Sequence, residues 1–132
     1  MVLTRPEIAF VMHKLSQYVT TPTLQHIMAC KRVLRYLKET ADYGLKFSGS
    51  REMRITSFTN ADCASDIDDM KSMGAYCIYF GNNLMPWSSK KHTVVASAES
   101  EYRALASTSA EIAWIQSLLS EFNIKCTSVP TI

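Results

Sequence analysis

The chain of 132 residues carries 14 Lys and Arg against 12 Asp and Glu, is 47% hydrophobic and 20% charged. That balance suits one domain-sized chain with a real core and excludes disordered, collagen-like and low-complexity classes. No apolar run approaches the roughly 18 residues of a membrane span, and Met1-Val2-Leu3-Thr4-Arg5-Pro6 lacks a charged segment ahead of an apolar one. The expectation is a soluble, intracellular, non-secreted protein of open compartment. Cys30, Cys63, Cys77 and Cys126 share no CxxC or CxH spacing and read as reduced thiols rather than zinc ligands or a disulfide frame. Charge is polarised: nine bases stand against four acids through Arg54, and five against eight after it. A polyanion-facing first segment and two ordinary solvated faces explain this equally well.

In chain order, Thr4, Pro6 and Glu7 have the spacing of a capping box with proline in the first turn. Ile8, Val11, Met12, Leu15 and Val19 then line one face of a helix reaching about Tyr18. Thr20-Thr21-Pro22-Thr23 breaks it and offers caps for a second helix, Leu24 to Glu39. Its apolar positions are Ile27, Met28, Val33, Leu34 and Leu37, and its other face carries Lys31, Arg32, Arg35 and Lys38. A short connection makes the two helices antiparallel neighbours. Tyr43–Phe47 alternates like an edge strand before the Ser48-Gly49-Ser50 break, so a boundary is expected between Phe47 and Met53.

Ile55–Asn60 is a short β-rich run, followed by an acidic loop with Asp66, Asp68 and Asp69 close together. Ala75–Phe80 reads as a strand, Gly81-Asn82-Asn83 as a turn with positive φ, and Leu84–Ser88 as the returning partner, with Pro86 marking an edge or bulge. Three strands joined this way predict an antiparallel meander. A long helix is expected from about Ala98 to Phe122, capped by Ser97 and striped by Tyr102, Leu105, Ala106, Ile112, Ala113, Leu118, Leu119 and Phe122. The end, Ile124–Ile132, reads as a turn into a strand that does not follow.

A meander, a long helix and acids at the first strand and at the helix start suit two-metal phosphodiester chemistry, in which carboxylates hold two Mg²⁺ ions about 3.5–4 Å apart. Local words are more specific. Thr4-Arg5-Pro6-Glu7-Ile8, Lys31–Lys38 and Asp42-Tyr43-Gly44-Leu45 resemble the end of a copia-type retrotransposon reverse transcriptase. Asn60-Ala61-Asp62, Asp66, Asp68–Ser72, Trp87–Lys91 and Ser97–Tyr102 resemble the ribonuclease H domain that follows it, with Trp114 and Leu118-Leu119 at the close of its first helix.

The resemblance implies an α+β fold: a reverse transcriptase tail over 1–50, then a truncated ribonuclease H-like domain over 51–132, made of a three-stranded antiparallel sheet and one long helix. It implies Mg²⁺ as cofactor, and an RNA–DNA hybrid as nucleic-acid partner. The family strand word is Asp-Ala-Asp-Trp, whose first Asp is the metal ligand; here it reads Asn60-Ala61-Asp62-Cys63. Glu101, followed by Tyr102 and Ala104, matches the helix Glu, so Glu101 and Asp62 are the candidate metal ligands and Asn60 a degenerate catalytic position. The family's later acidic word lies past Ile132. The family's Arg-x-Ser-Thr-x-Gly stretch is Met70-Lys71-Ser72-Met73-Gly74-Ala75 here. An amide oxygen brings no charge to offset two divalent ions, and Asp62 stands about 6.5–7 Å further along the strand, so an inactive remnant is expected.

The alternative is a non-catalytic nucleic-acid-binding module using Lys31, Arg32, Arg35 and Lys38, with Lys90 and Lys91 on a loop. A Glu in a first helical turn also simply favours the helix dipole, and Trp87 is expected in the core. His13 and His26 have no partner at ligand spacing. No membrane contact is expected; self-association through an open first-strand edge is, unless Thr127–Ile132 folds back on it.

Overall fold

The structure, a computed structural model, describes residues 4–62, 70–92 and 97–132. Cys63, the acidic group Asp66, Asp68 and Asp69, and the Ser97 side chain expected as a cap lie outside what is described. The chain is α+β and packs as two compact units, Met1–Leu45 and Lys46–Ile132. The Ser48-Gly49-Ser50 break belongs with the second unit. There the Asn83 amide clasps Ser48, its Oδ1 accepting from Ser48 N at 2.8 Å and its Nδ2 donating to Ser48 O at 2.9 Å.

In the first unit a 3-10 turn, Pro6–Ile8, leads into α1, Ala9–Ser16. The cap position falls on Arg5 rather than on the expected Thr4, with no side-chain cap bond, and the Glu7 carboxylate accepts from Arg5 Nε. Helix α2, Leu24–Glu39, has the predicted bounds. Its capping box is built by Thr23 and His26: Thr23 Oγ1 accepts from His26 N, and His26 Nδ1 accepts from Thr23 N. The same imidazole stacks on Tyr18 with centroids 3.9 Å apart.

No α2 residue is fully buried. Its half-buried positions are His26, Ala29, Val33 and Leu37, so Ile27, Met28 and Leu34 stay exposed rather than packed as the apolar spacing suggested. One helix against a single short neighbour can cover only one narrow stripe. Tyr43–Phe47 is not a strand; Tyr43 and Phe47 are exposed, and no ladder partner pairs with the segment among the described residues.

The second unit is the predicted meander. Strands β1 (Ile55–Asp62), β2 (Met73–Phe80) and β3 (Asn83–Lys91) pair antiparallel in that order. Gly81 takes φ +58°, where an added Cβ would meet Glu52 O at 2.8 Å, so the turn needs glycine on both counts. The β2–β3 register shifts between Cys77 and Tyr79, opposite Met85-Pro86: the bulge that Pro86 signalled. Helix α3, Ser97–Glu121, crosses β1 and β2, and Ile55, Ile78, Ile112 and Ile115 form the core.

The face that α3 presents to the sheet differs from the expected stripe. Ser100, Ala104, Thr108, Ile112 and Ile115 are buried, while Tyr102, Leu105 and Phe122 are exposed. Small residues at four-residue steps let the helix approach the sheet, and Thr108 satisfies its hydroxyl on Ala104 O at 2.8 Å. A Schellman motif ends α3: Asn123 sits at φ +56°, its N–H bonds Ser120 O, and Ile124 N bonds Leu119 O.

The tail then turns back. Thr127 N donates to Met53 O, Thr131 N to Ile55 O, and Ser57 N to Thr131 O, a parallel bridge on the open edge of β1. The sequence led to a strand that fails to arrive; its first bridge does arrive.

Candidate functional site

The first-strand candidates follow from β alternation. Ile55 and Ser57 point into the buried face, so Phe58 is exposed between them and Thr59, and Asn60 and Asp62 share its side of the sheet. Asn60 Nδ2 donates to Asp62 Oδ1 at 3.4 Å, which confirms that the two side chains neighbour each other. Both are exposed, on the face turned away from the α3 core.

Glu101 belongs to α3, one position past buried Ser100 and three before buried Ala104, and is exposed. Asn60 and Asp62 thus take the face of β1 opposite the α3 core, and Glu101 is exposed on α3 itself. Among the described residues no three His, Cys, Asp or Glu side chains stand close enough to hold a metal ion. Among the described residues these candidates supply two exposed carboxylates and one amide, fewer acids than a pair of Mg²⁺ ions calls for.

The basic candidates divide differently. Lys31, Arg32, Arg35 and Lys38 are all exposed on α2 and continue the outward strip begun by Leu24 and Met28. That strip is apolar in its first two turns and cationic in its last two. Lys90 and Lys91 are not on a loop; they lie within β3, where successive side chains take opposite faces. Lys90 shares a side with Ser88, and Lys91 with Ser89 and Trp87. Trp87 is half-buried opposite Cys77, outside the core cluster. Burial pushes the Cys77 thiol up, only partly offset by a backbone hydrogen bond from Phe58, as befits an inert thiol.

Two features escaped the sequence reading. Arg5, singled out there only as a charge and as part of the Thr4–Ile8 word, is 7% exposed. Its guanidinium donates to Glu7, to Thr40 O at 2.9 Å and to Thr40 Oγ1 at 2.6 Å, and lies 5.5 Å from the Tyr36 ring centroid. It thereby ties the chain entering α1 to the end of α2. Partial burial pushes the Glu7 carboxyl up, but the Arg5 hydrogen bond and charge outweigh it and hold Glu7 below the usual carboxylate range. The second is a cleft of about 190 Å³ between the sheet and α3, lined by Tyr76, Ser88, Lys90, His92 and Glu111 among others. Ser88, Lys90 and His92 stand at every second position, a signal that was legible once the third strand was extended past Ser88.

The chain is similar over nearly its whole length to retrotransposon proteins. It is 41% identical over 131 residues, 98% of its length, to the Retrovirus-related Pol polyprotein from transposon RE1 of Arabidopsis thaliana. It is 36% identical over 126 residues, 94% of its length, to the Retrovirus-related Pol polyprotein from transposon TNT 1-94 of Nicotiana tabacum. The chain spans 9% of the length of each of those polyproteins. It is also 38% identical over 117 residues to the Secreted RxLR effector protein 161 of Plasmopara viticola, covering 87% of this chain and 82% of that protein. No family profile matches the chain, and no solved structure matches it.

Proposed function

The chain belongs to the copia-type family of retrovirus-related Pol polyproteins from transposons, and from that membership we propose that it joins the end of a reverse transcriptase, 1–50, to a ribonuclease H-like region, 51–132, that does not cleave RNA–DNA hybrids. The observation that carries the inactive reading is Asn60. A neutral amide occupies the strand position of an expected carboxylate, and it spends its donor on Asp62.

Release of labelled RNA from a hybrid, in Mg²⁺ and in Mn²⁺, tests it. The unmodified chain and Asn60→Asp alone should release none above background. Losing ligand stabilisation of about 4 kcal/mol already costs roughly a thousandfold in rate. Cleavage by the unmodified chain that Glu101→Gln abolishes would overturn the proposal.

The exposed cationic end of α2 favours a second reading, a non-catalytic contact with the phosphates of a nucleic acid. Duplex affinity should then fall with salt, each phosphate contact adding about −0.9 to the log–log slope. Replacing Lys31, Arg32, Arg35 and Lys38 by Gln should flatten that slope, and an unchanged slope would remove the reading.

A further inference from the structure

The chain joining the two units is anchored at each end and held by nothing in its middle. On the first side, Tyr43 N donates to Thr40 O at 3.0 Å, and Tyr43, Gly44 and Leu45 line a cleft of about 160 Å³ with Arg5, Glu7 and Tyr36. On the second side, Asn83 takes both backbone groups of Ser48. Further on, Glu52 N donates to Ser50 Oγ, Met53 O accepts from Thr127 N, and Arg54 O accepts from Gly81 N. Lys46 and Phe47 lie between these anchors, outside every helix and strand, and both are exposed. Among the described residues, neither makes a hydrogen bond or an ion pair. A Cβ added at the flanking Gly44 or Gly49 would meet nothing within 4 Å, so the approach is open.

A peptidase grips its substrate as an extended strand and exchanges main-chain hydrogen bonds with it. Backbone already committed to a helix or ladder must open first, and cleavage slows by that opening equilibrium. The Lys46–Phe47 bond needs no such opening. Its neighbours are less suited: Leu45 is half-buried in the cleft beside Arg5, and the nitrogen of the Phe47–Ser48 bond is held by Asn83. The exposed side chain ahead of the free amide is a cation, which an acidic pocket in a peptidase selects. Most other cations sit in α1, α2, β3 and α3, and Arg54 sits on bonded backbone.

We propose that Lys46–Phe47 is a processing site, cut by a peptidase specific for basic residues, and that the cut parts the two units. Water adds its hydroxyl to the Lys46 carbonyl carbon, the carbon–nitrogen bond breaks, and the proton passes to the Phe47 amine. The products, 1–46 and 47–132, divide the chain within one residue of the boundary between its compact units. The proposal is independent of the inactive-remnant reading and of the α2 surface.

Brief digestion of the folded full chain with trypsin, read by mass spectrometry, should cut first after Lys46, about a hundredfold faster than after any base in a helix or strand. Lys46→Gln should abolish that cut, and so should Phe47→Pro, which keeps the cation and alters only the scissile amide. In cells that express the chain, a peptide with Phe47 as its free N-terminus should be recovered, and Lys46→Gln should remove it. First cuts after Arg51, Arg54, Lys71 or Lys125 would overturn the proposal, as would a Lys46 cut no faster than those in α2. Recovery of the intact chain alone from the cells would overturn it too, whatever trypsin does.

Discussion

The two units of this chain hold themselves together by opposite means. In Lys46–Ile132, isoleucines from β1, β2 and α3 close on one another and exclude water. In Met1–Leu45, the sixteen residues of α2 bury none of their number, and a guanidinium shared among Glu7, Thr40 and Tyr36 ties the entry of α1 to the end of α2. An apolar closure resists local change because many contacts must fail together. A polar clasp depends on a few atoms and on their charge state. Each substitution below is aimed at one of these two modes.

Ile78→Ala should have the largest effect. Ile78 is fully buried, and truncation of such a side chain costs about 2–5 kcal/mol. Urea unfolding of the sheet unit should shift by that amount, with amide exchange accelerating across β1, β2 and α3. A shift below about 1 kcal/mol would mean the four-isoleucine cluster does not govern this unit.

Gly74→Ala comes next, at about 1–3 kcal/mol, because the new methyl displaces the His92 ring seated over it rather than filling space. Gly74→Ala combined with His92→Ala should recover most of the loss. A double variant as unstable as the single one would show that the ring is not what Gly74 accommodates.

Thr131→Pro removes the donor to Ile55 O, a loss of about 0.5–1.5 kcal/mol. Its sharper readout is light scattering, because it weakens the Thr56–Thr131 bridge on the β1 edge and self-association should rise. Thr23→Ala should cost about 1 kcal/mol, the usual value of a helix cap. It should appear at α2 amides and leave the sheet unit unchanged.

Acid should act last and locally. The Glu7 carboxyl is held below its ordinary value, so its contribution is present above the unfolded-state pKa and fades as pH falls through the lower folded value. Amide exchange at the end of α2 should therefore rise in acid, and should lose that pH dependence in Glu7→Gln.

What the sequence disclosed follows the same division. Strands, turn and long helix were legible because Ile55–Asp62 and Met73–Phe80 carry β-branched and aromatic residues bounded by a glycine turn. The helix face was misread because Ser100, Ala104 and Thr108 do not look apolar, yet their small size is what permits close packing. Arg5 was invisible as a clasp, since its partners at Thr40 and Tyr36 lie 35 and 31 positions away. The residue types of the candidate site were legible one by one at Asn60, Asp62 and Glu101. The face that Asn60 and Asp62 take was not, because alternation fixes a face only after the register with the buried Ile55 is known.

The bridge from Thr131 to β1 also sets an order of events. Ser57 and Thr131 are 74 residues apart, whereas β2 and β3 meet across the short turn at Gly81-Asn82. Local pairings form early, and contacts across long loops wait for the chain to close on itself. During synthesis the hairpin and then β1 assemble while the outer edge of β1 stays bare. That edge is covered only once Thr131 has emerged, so the interval before Thr131 arrives is when two nascent chains are most prone to join edge to edge.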